Sequence, residues 1–86
     1  MKSIEFSLHS IQKIALLKEH GFVISKEYVI GAVNNPDIVS PGKSGRMIAE
    51  IKLDENHILR VIYEESDDKI FIVTIYPARR IRYEKN

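Results

Sequence analysis

The chain has 86 residues, with 13 Lys and Arg against 12 Asp and Glu, a net charge of +1, 44% hydrophobic residues and no cysteine. That length makes one domain over residues 1–86, and the composition excludes a disulfide scaffold, thiolate chemistry and a disordered chain. No apolar run approaches the roughly 18 residues of a membrane span, and Met1-Lys2-Ser3-Ile4-Glu5 lacks a secretory apolar stretch, so a cytoplasmic protein with no membrane role is expected.

Ile4, Phe6 and Leu8 alternate with polar neighbours over Ser3 to Leu8, the pattern of a short half-buried strand. Ile11, Ile14, Ala15 and Leu17 then follow helical spacing up to Gly21, a natural C-terminal stop because glycine tolerates positive φ. Ser25 is a good N-cap for a second helix, with Glu27 in its first turn and Val29, Ala32 and Val33 on its apolar side. Asn34-Asn35-Pro36 ends it, since a residue before proline is pushed out of the α region.

Asp37 to Gly45 is expected to be a loop. Its Gly42-Lys43-Ser44 resembles the tail of a phosphate-binding loop, but Asp37 stands where a glycine is needed and a strand follows instead of a helix. Alternation then predicts strands over Met47 to Leu53, His57 to Glu65 and Lys69 to Tyr76, with turns at Asp54-Glu55-Asn56 and Ser66-Asp67-Asp68. Pro77, which has no N–H for a ladder, is expected to close the last strand. The result is an α+β fold in the order β-α-α-β-β-β: an antiparallel meander with both helices on one face.

If Phe71, Val73 and Ile75 face the helices with Leu59 and Val61, the other face collects Arg46, Ile48, Glu50, Lys52, Arg60, Ile62, Glu64, Ile70, Ile72, Thr74 and Tyr76. Exposed Ile48, Ile62, Ile70 and Ile72 on such a face predict a protein partner or self-association as a homodimer, unless the C-terminal tail folds over them. Arg60, Thr74 and Tyr76 stand beside Arg79 and Arg80, a combination suited to phosphate contact and base stacking, though strand arginines and tyrosines also serve as plain surface packers. His9, His20 and His57 have no partner cysteines or ligand spacing, so neither a metal nor another cofactor is called for. His9, at the first strand–helix junction, suits either a backbone hydrogen bond or acid–base work.

Phe6-Ser7-Leu8-His9, Leu17-Lys18-Glu19-His20-Gly21-Phe22, Asn35-Pro36-Asp37, Gly45-Arg46-Met47-Ile48-Ala49, His57-Ile58-Leu59-Arg60-Val61-Ile62-Tyr63-Glu64-Glu65 and Thr74-Ile75-Tyr76-Pro77-Ala78-Arg79-Arg80 carry a resemblance to a family of small prokaryotic domains. That family looks like a distant branch of the RelE, ParE and BrnT toxins, and the resemblance spans about residues 4–83. It implies a RelE-like sheet with two packed helices, an antitoxin partner, and cleavage of messenger RNA, free or on the ribosome. Under that resemblance Arg60, Arg79 and Arg80 are the cations for the phosphoryl charge, and Tyr76, Tyr83, His9 or Glu50 supply proton transfer or stacking. Arg46, Lys52, Arg82 and Tyr83 extend the expected RNA contact. No known RelE catalytic set is reproduced residue for residue, and the additional C-terminal helix of many such toxins is not evident before Asn86. Two other functions stay open: a non-catalytic protein-binding module using the isoleucine face, and ParE-like inhibition of a topoisomerase.

Overall fold

The computed structural model describes residues 2–80. Its elements are β1 (Ser3–Phe6), α1 (Leu8–Glu19), α2 (Lys26–Asn34), β2 (Ile38–Pro41), a 3-10 turn (Lys43–Gly45), β3 (Met47–Lys52), β4 (His57–Glu65) and β5 (Lys69–Arg79). The five strands form one mixed sheet in the order β1-β5-β4-β3-β2, with β1 parallel to β5 and the other neighbours antiparallel.

Local chemistry sets the helix ends. Ser25 Oγ accepts from the Tyr28 amide at 3.0 Å, filling the cap expected of it. Ser7 caps α1 in the same way, accepting from the Ser10 amide at 3.0 Å. Gly21 takes φ +91°, where a side chain would be strained, and reverses the chain after α1. β3 and β4 lie where alternation places them, and β5 starts at Lys69 as expected.

Two expectations about the chain path need correction. Ile38–Pro41, expected within a loop, is a strand that adds to β3 through Ile38 opposite Glu50 and Ser40 opposite Ile48. It is an outer strand, where a proline costs no ladder bond if its nitrogen faces outward. Pro77 likewise does not close β5, but pairs with Leu59. β1 accompanies β5 only as far as Ile72, so among the described residues one edge of β5 has no strand beside it beyond that point and accommodates the missing N–H.

The core lies between the helices and one face of the sheet. Leu17 from α1 and Val29, Ala32 and Val33 from α2 meet Ala49, Leu59, Val61, Tyr63, Ile70, Ile72 and Ile75. α1 lies over β5, and α2 over β3 and β4. Ile70 and Ile72 are therefore core residues, 7% and 0% exposed, and not part of the opposite face. The cause is a β-bulge: Ile62 pairs with Thr74 but Tyr63 pairs with Ile72, leaving Val73 without a partner. One extra residue shifts the alternation by one, so Ile70 and Ile72 point to the helices before it and Ile75 after it. Ser7 holds the bulge, donating from Oγ to the Val73 carbonyl at 2.7 Å and from its amide to the Ile72 carbonyl at 2.9 Å.

Candidate functional site

Both helices cover the same face, so among the described residues no helix covers the other, and its side chains can be read from the strand register. Ile38, Glu50, Arg60 and Tyr76 form one row across β2, β3, β4 and β5. Ile48, Ile62 and Thr74 make the row on one side, and Lys52, Ile58 and Ala78 the row on the other. A charged row thus lies between two mainly apolar ones.

Arg60 is its centre. Its Nη1 donates to Glu50 Oε2 at 2.5 Å and its Nε donates to the Tyr76 hydroxyl at 2.7 Å. The Arg60 and Glu50 side chains are only 11% and 12% exposed, so this ion pair is largely desolvated. An isolated charge at that depth would be costly, and each group offsets that cost for the other. Because the Tyr76 oxygen accepts from Arg60, its own proton is directed away from the guanidinium.

The other cations are placed differently. Arg46 pairs with Glu64 at 3.0 Å at the exposed margin of the same face. Lys52 lies 3.6 Å from Glu55, also exposed. Arg80 follows β5, its backbone N–H donating to the Asn56 carbonyl at 2.9 Å and its Nη1 to the Glu55 carbonyl at 3.1 Å. The β3–β4 turn thereby carries Arg80 to the end of the open face. Arg79 is exposed and opposite His57 in the register, which puts it on the helix side of the sheet. His9 is exposed in the first turn of α1, so it too lies in the helix layer and is not grouped with Arg60. Ile48 and Ile62 form a half-buried cross-strand pair on the open face. Arg82 and Tyr83 lie outside the described residues.

Sequence reasoning missed two features here. One is a cleft of about 160 Å³ continuous with the charged row, lined by Asp37, Ile38, Glu50, Lys52, Ile58 and Arg80. Asp37 is fixed at its rim, Oδ2 accepting the Lys52 amide at 2.9 Å while its own amide donates to the Glu50 carbonyl at 2.9 Å. Tyr28 braces the same point from α2, its hydroxyl donating to the Lys52 carbonyl. Burial, and then the Asp37 charge, push that phenol above its ordinary pKa, so it remains a firm donor. Reading Asp37–Gly45 as a loop concealed this cleft, because β2 forms its outer wall.

The second is the Asp54–His57 pair in the β3–β4 turn, with His57 Nδ1 2.9 and 3.2 Å from the two carboxylate oxygens. The Asn56 amide, then the His57 side chain, hold the Asp54 carboxyl below its ordinary pKa. Phe22 meets the His57 ring edge-on at 5.0 Å, so the imidazole also packs beneath the α1–α2 connection. The Asp-x-x-His spacing around a turn was the available signal. Among the described residues no three His, Cys, Asp or Glu side chains converge as a metal cluster would require. Nor is any described helix long and apolar enough to cross a membrane.

No family model matches the chain, and no curated protein matches it. Among solved structures, it is similar to the crystal structure of YafQ from E. coli strain BL21(DE3), with a TM-score of 0.56 and 15% identity. That similarity covers 99% of this chain and 100% of the other. The fold is RelE-like. A likeness spanning both chains this completely includes the helix pair and the mixed sheet together, which a chance match of one hairpin would not. Within this RelE-like frame the open face is the surface on which the charged row and the cleft meet.

Proposed function

We propose that this chain is the toxin of a toxin–antitoxin pair and acts as a metal-independent, RelE-like endoribonuclease on RNA. The chain shares the fold of YafQ, and the toxin reading rests on the resemblance of its Leu59-Arg60-Val61-Ile62-Tyr63-Glu64-Glu65 and Tyr76-Pro77-Ala78-Arg79-Arg80 blocks to the RelE, ParE and BrnT toxins. The observation that carries the chemical part is the Glu50–Arg60–Tyr76 row: a carboxylate, a guanidinium and a phenol joined by two hydrogen bonds on an open sheet face.

RNA cleavage by its own 2′-hydroxyl needs a base, a cation and a proton donor, and the row has one of each. Glu50 takes the 2′-hydroxyl proton as the 2′-oxygen bonds to phosphorus. Arg60, between the other two groups, offsets the charge gathering on the phosphoryl oxygens. Tyr76 gives its proton to the departing 5′-oxygen, leaving a 2′,3′-cyclic phosphate and a 5′-hydroxyl; water then returns the Glu50 proton to the tyrosine. Arg80, Lys52 and Arg46 are placed at the margins of this face to hold neighbouring phosphates. An antitoxin covering Ile48 and Ile62 would block the row, and a messenger substrate places the protein in the cytoplasm.

A second reading is a non-catalytic module that docks a protein on the same face. It is favoured by the carboxylate that already matches the Arg60 charge. Primer extension on a defined messenger in a reconstituted translation reaction separates the two. The nuclease predicts discrete cuts by wild type and about 10²–10⁴-fold fewer by Tyr76→Phe, which loses the proton donor together with the acceptor of the Arg60 Nε bond. A folded wild type that makes no cuts, with or without ribosomes, refutes the nuclease. Undisturbed translation in the same reaction then leaves the docking module.

A further inference from the structure

We propose that the cleft beside Glu50 is a subsite that selects guanine in single-stranded RNA; this rests on reading the open face as an RNA surface. Ile38 and Ile58 give the cleft apolar surface for a planar ring, and Lys52 and Arg80 bring cations to it. At about 160 Å³ it falls below the roughly 300 Å³ of ordinary small-molecule pockets, a size for one inserted ring. Sharing Glu50 with the charged row places a base held there next to the bond that the row would break.

Asp37 supplies the selectivity. Its Oδ2 already accepts one bond from the Lys52 amide in β3, which fixes the carboxylate's direction. An ionised carboxylate offers only acceptors, with two oxygens side by side and lone pairs left over after one bond. Guanine has two adjacent donors on its Watson–Crick edge, N1–H and the N2 amino group. Adenine and cytosine place one donor beside an acceptor, and uracil has one donor between two acceptors. A fixed all-acceptor group therefore satisfies guanine twice, and opposes a lone pair to each of the other bases. Unstacked bases read on that edge are how sequence is selected in single-stranded RNA.

The test is a set of titrations followed by amide NMR, using GMP and the trinucleotides ApGpA and ApApA with wild type and Asp37→Asn. The asparagine oxygen can keep the Lys52 bond, while its amino group turns an acceptor into a donor. In wild type, GMP and ApGpA should shift the Ile38 and Ile58 amides, with ApGpA at least tenfold tighter than ApApA. Asp37→Asn should erase that difference while leaving the β4 amide pattern intact. Equal binding of ApGpA and ApApA by wild type, or a guanine preference that survives Asp37→Asn, would overturn the proposal. GMP binding as tightly as ApGpA would overturn the RNA assignment and make the cleft a site for free guanine nucleotides. A wild type that prefers guanine here but cuts no messenger would sink the nuclease and leave this subsite standing.

Discussion

Replacing Arg60 with methionine removes the cation from a carboxylate that is only 12% exposed and withdraws the donor from the Tyr76 hydroxyl. Breaking a buried pair from one side costs about 3–5 kcal/mol, because the remaining charge is stranded. A domain this size has a total stability on the order of 5–10 kcal/mol, so the loss is a large part of it. At about 4–8 °C per kcal/mol, the melting temperature should fall by roughly 12–40 °C. The companion variant carries Arg60→Met and Glu50→Leu together. It extends the apolar rows of Ile48 and Ile62 on one side and Ile58 on the other, and should return to within about 1 kcal/mol of wild type or exceed it. Urea denaturation of wild type, Arg60→Met, Glu50→Leu and the double variant gives the coupling energy directly, expected at about 2 kcal/mol or more. A cost below about 1 kcal/mol for Arg60→Met, or a double variant no better than the sum of the singles, would show that the pair is effectively solvated and the reasoning wrong.

Ile72→Ala should lower stability by about 2–5 kcal/mol in urea, while the half-buried Ile62→Ala on the open face loses about 1 kcal/mol. The opposite ranking would contradict the bulge. Ser7→Ala removes both the α1 cap and the bond to the Val73 carbonyl, and should cost about 1–2 kcal/mol, with a larger loss of amide protection at Val73 and Thr74 than elsewhere. Asp54 has a folded-state pKa depressed below the ordinary value of about 3.9, so its contribution is present above that pH and is lost as the pH falls through the lowered value. A carboxyl NMR titration should show its midpoint below that of an unstructured aspartate. The melting-temperature gap between wild type and Asp54→Ala should close in the same acidic range.

Elements with a local cause were legible in the sequence. Ser25 declares the start of α2, Gly21 the reversal after α1, and the alternation in β3 and β4 places Glu50 and Arg60 on one face without reference to anything distant. What failed depended on neighbours far along the chain. Val73 looks like any strand residue; that it is unpaired follows from Tyr63 choosing Ile72, which no local pattern records. The same slip hid the fact that Ile72 belongs to the core while Tyr76, on the far side of the bulge, was assigned to the correct face. β2 was obscured by Pro41-Gly42, turn-like on composition and tolerable in a strand only because it is an outer one. Arg79 and Arg80 read as a pair in sequence, yet Arg79 ends β5 on the helix side, while Arg80, beyond the strand, is held by the β3–β4 turn at the open face.

The parallel pairing of β1 with β5 has a temporal consequence during synthesis. Ser7 and Val73, which bond across that junction, are 66 positions apart, so α1 emerges long before the strand it lies over. A contact of such high order cannot form until most of the chain exists, and closing so long a loop slows it further. The β3–β4 hairpin can form earlier, joining Glu50 to Arg60 on its own. Tyr76 completes the row only when β5 docks, in the same step that buries Ile72 and Ile75 against the helices. A nascent chain would therefore gain its full set of three groups only once β5 has been made and has docked.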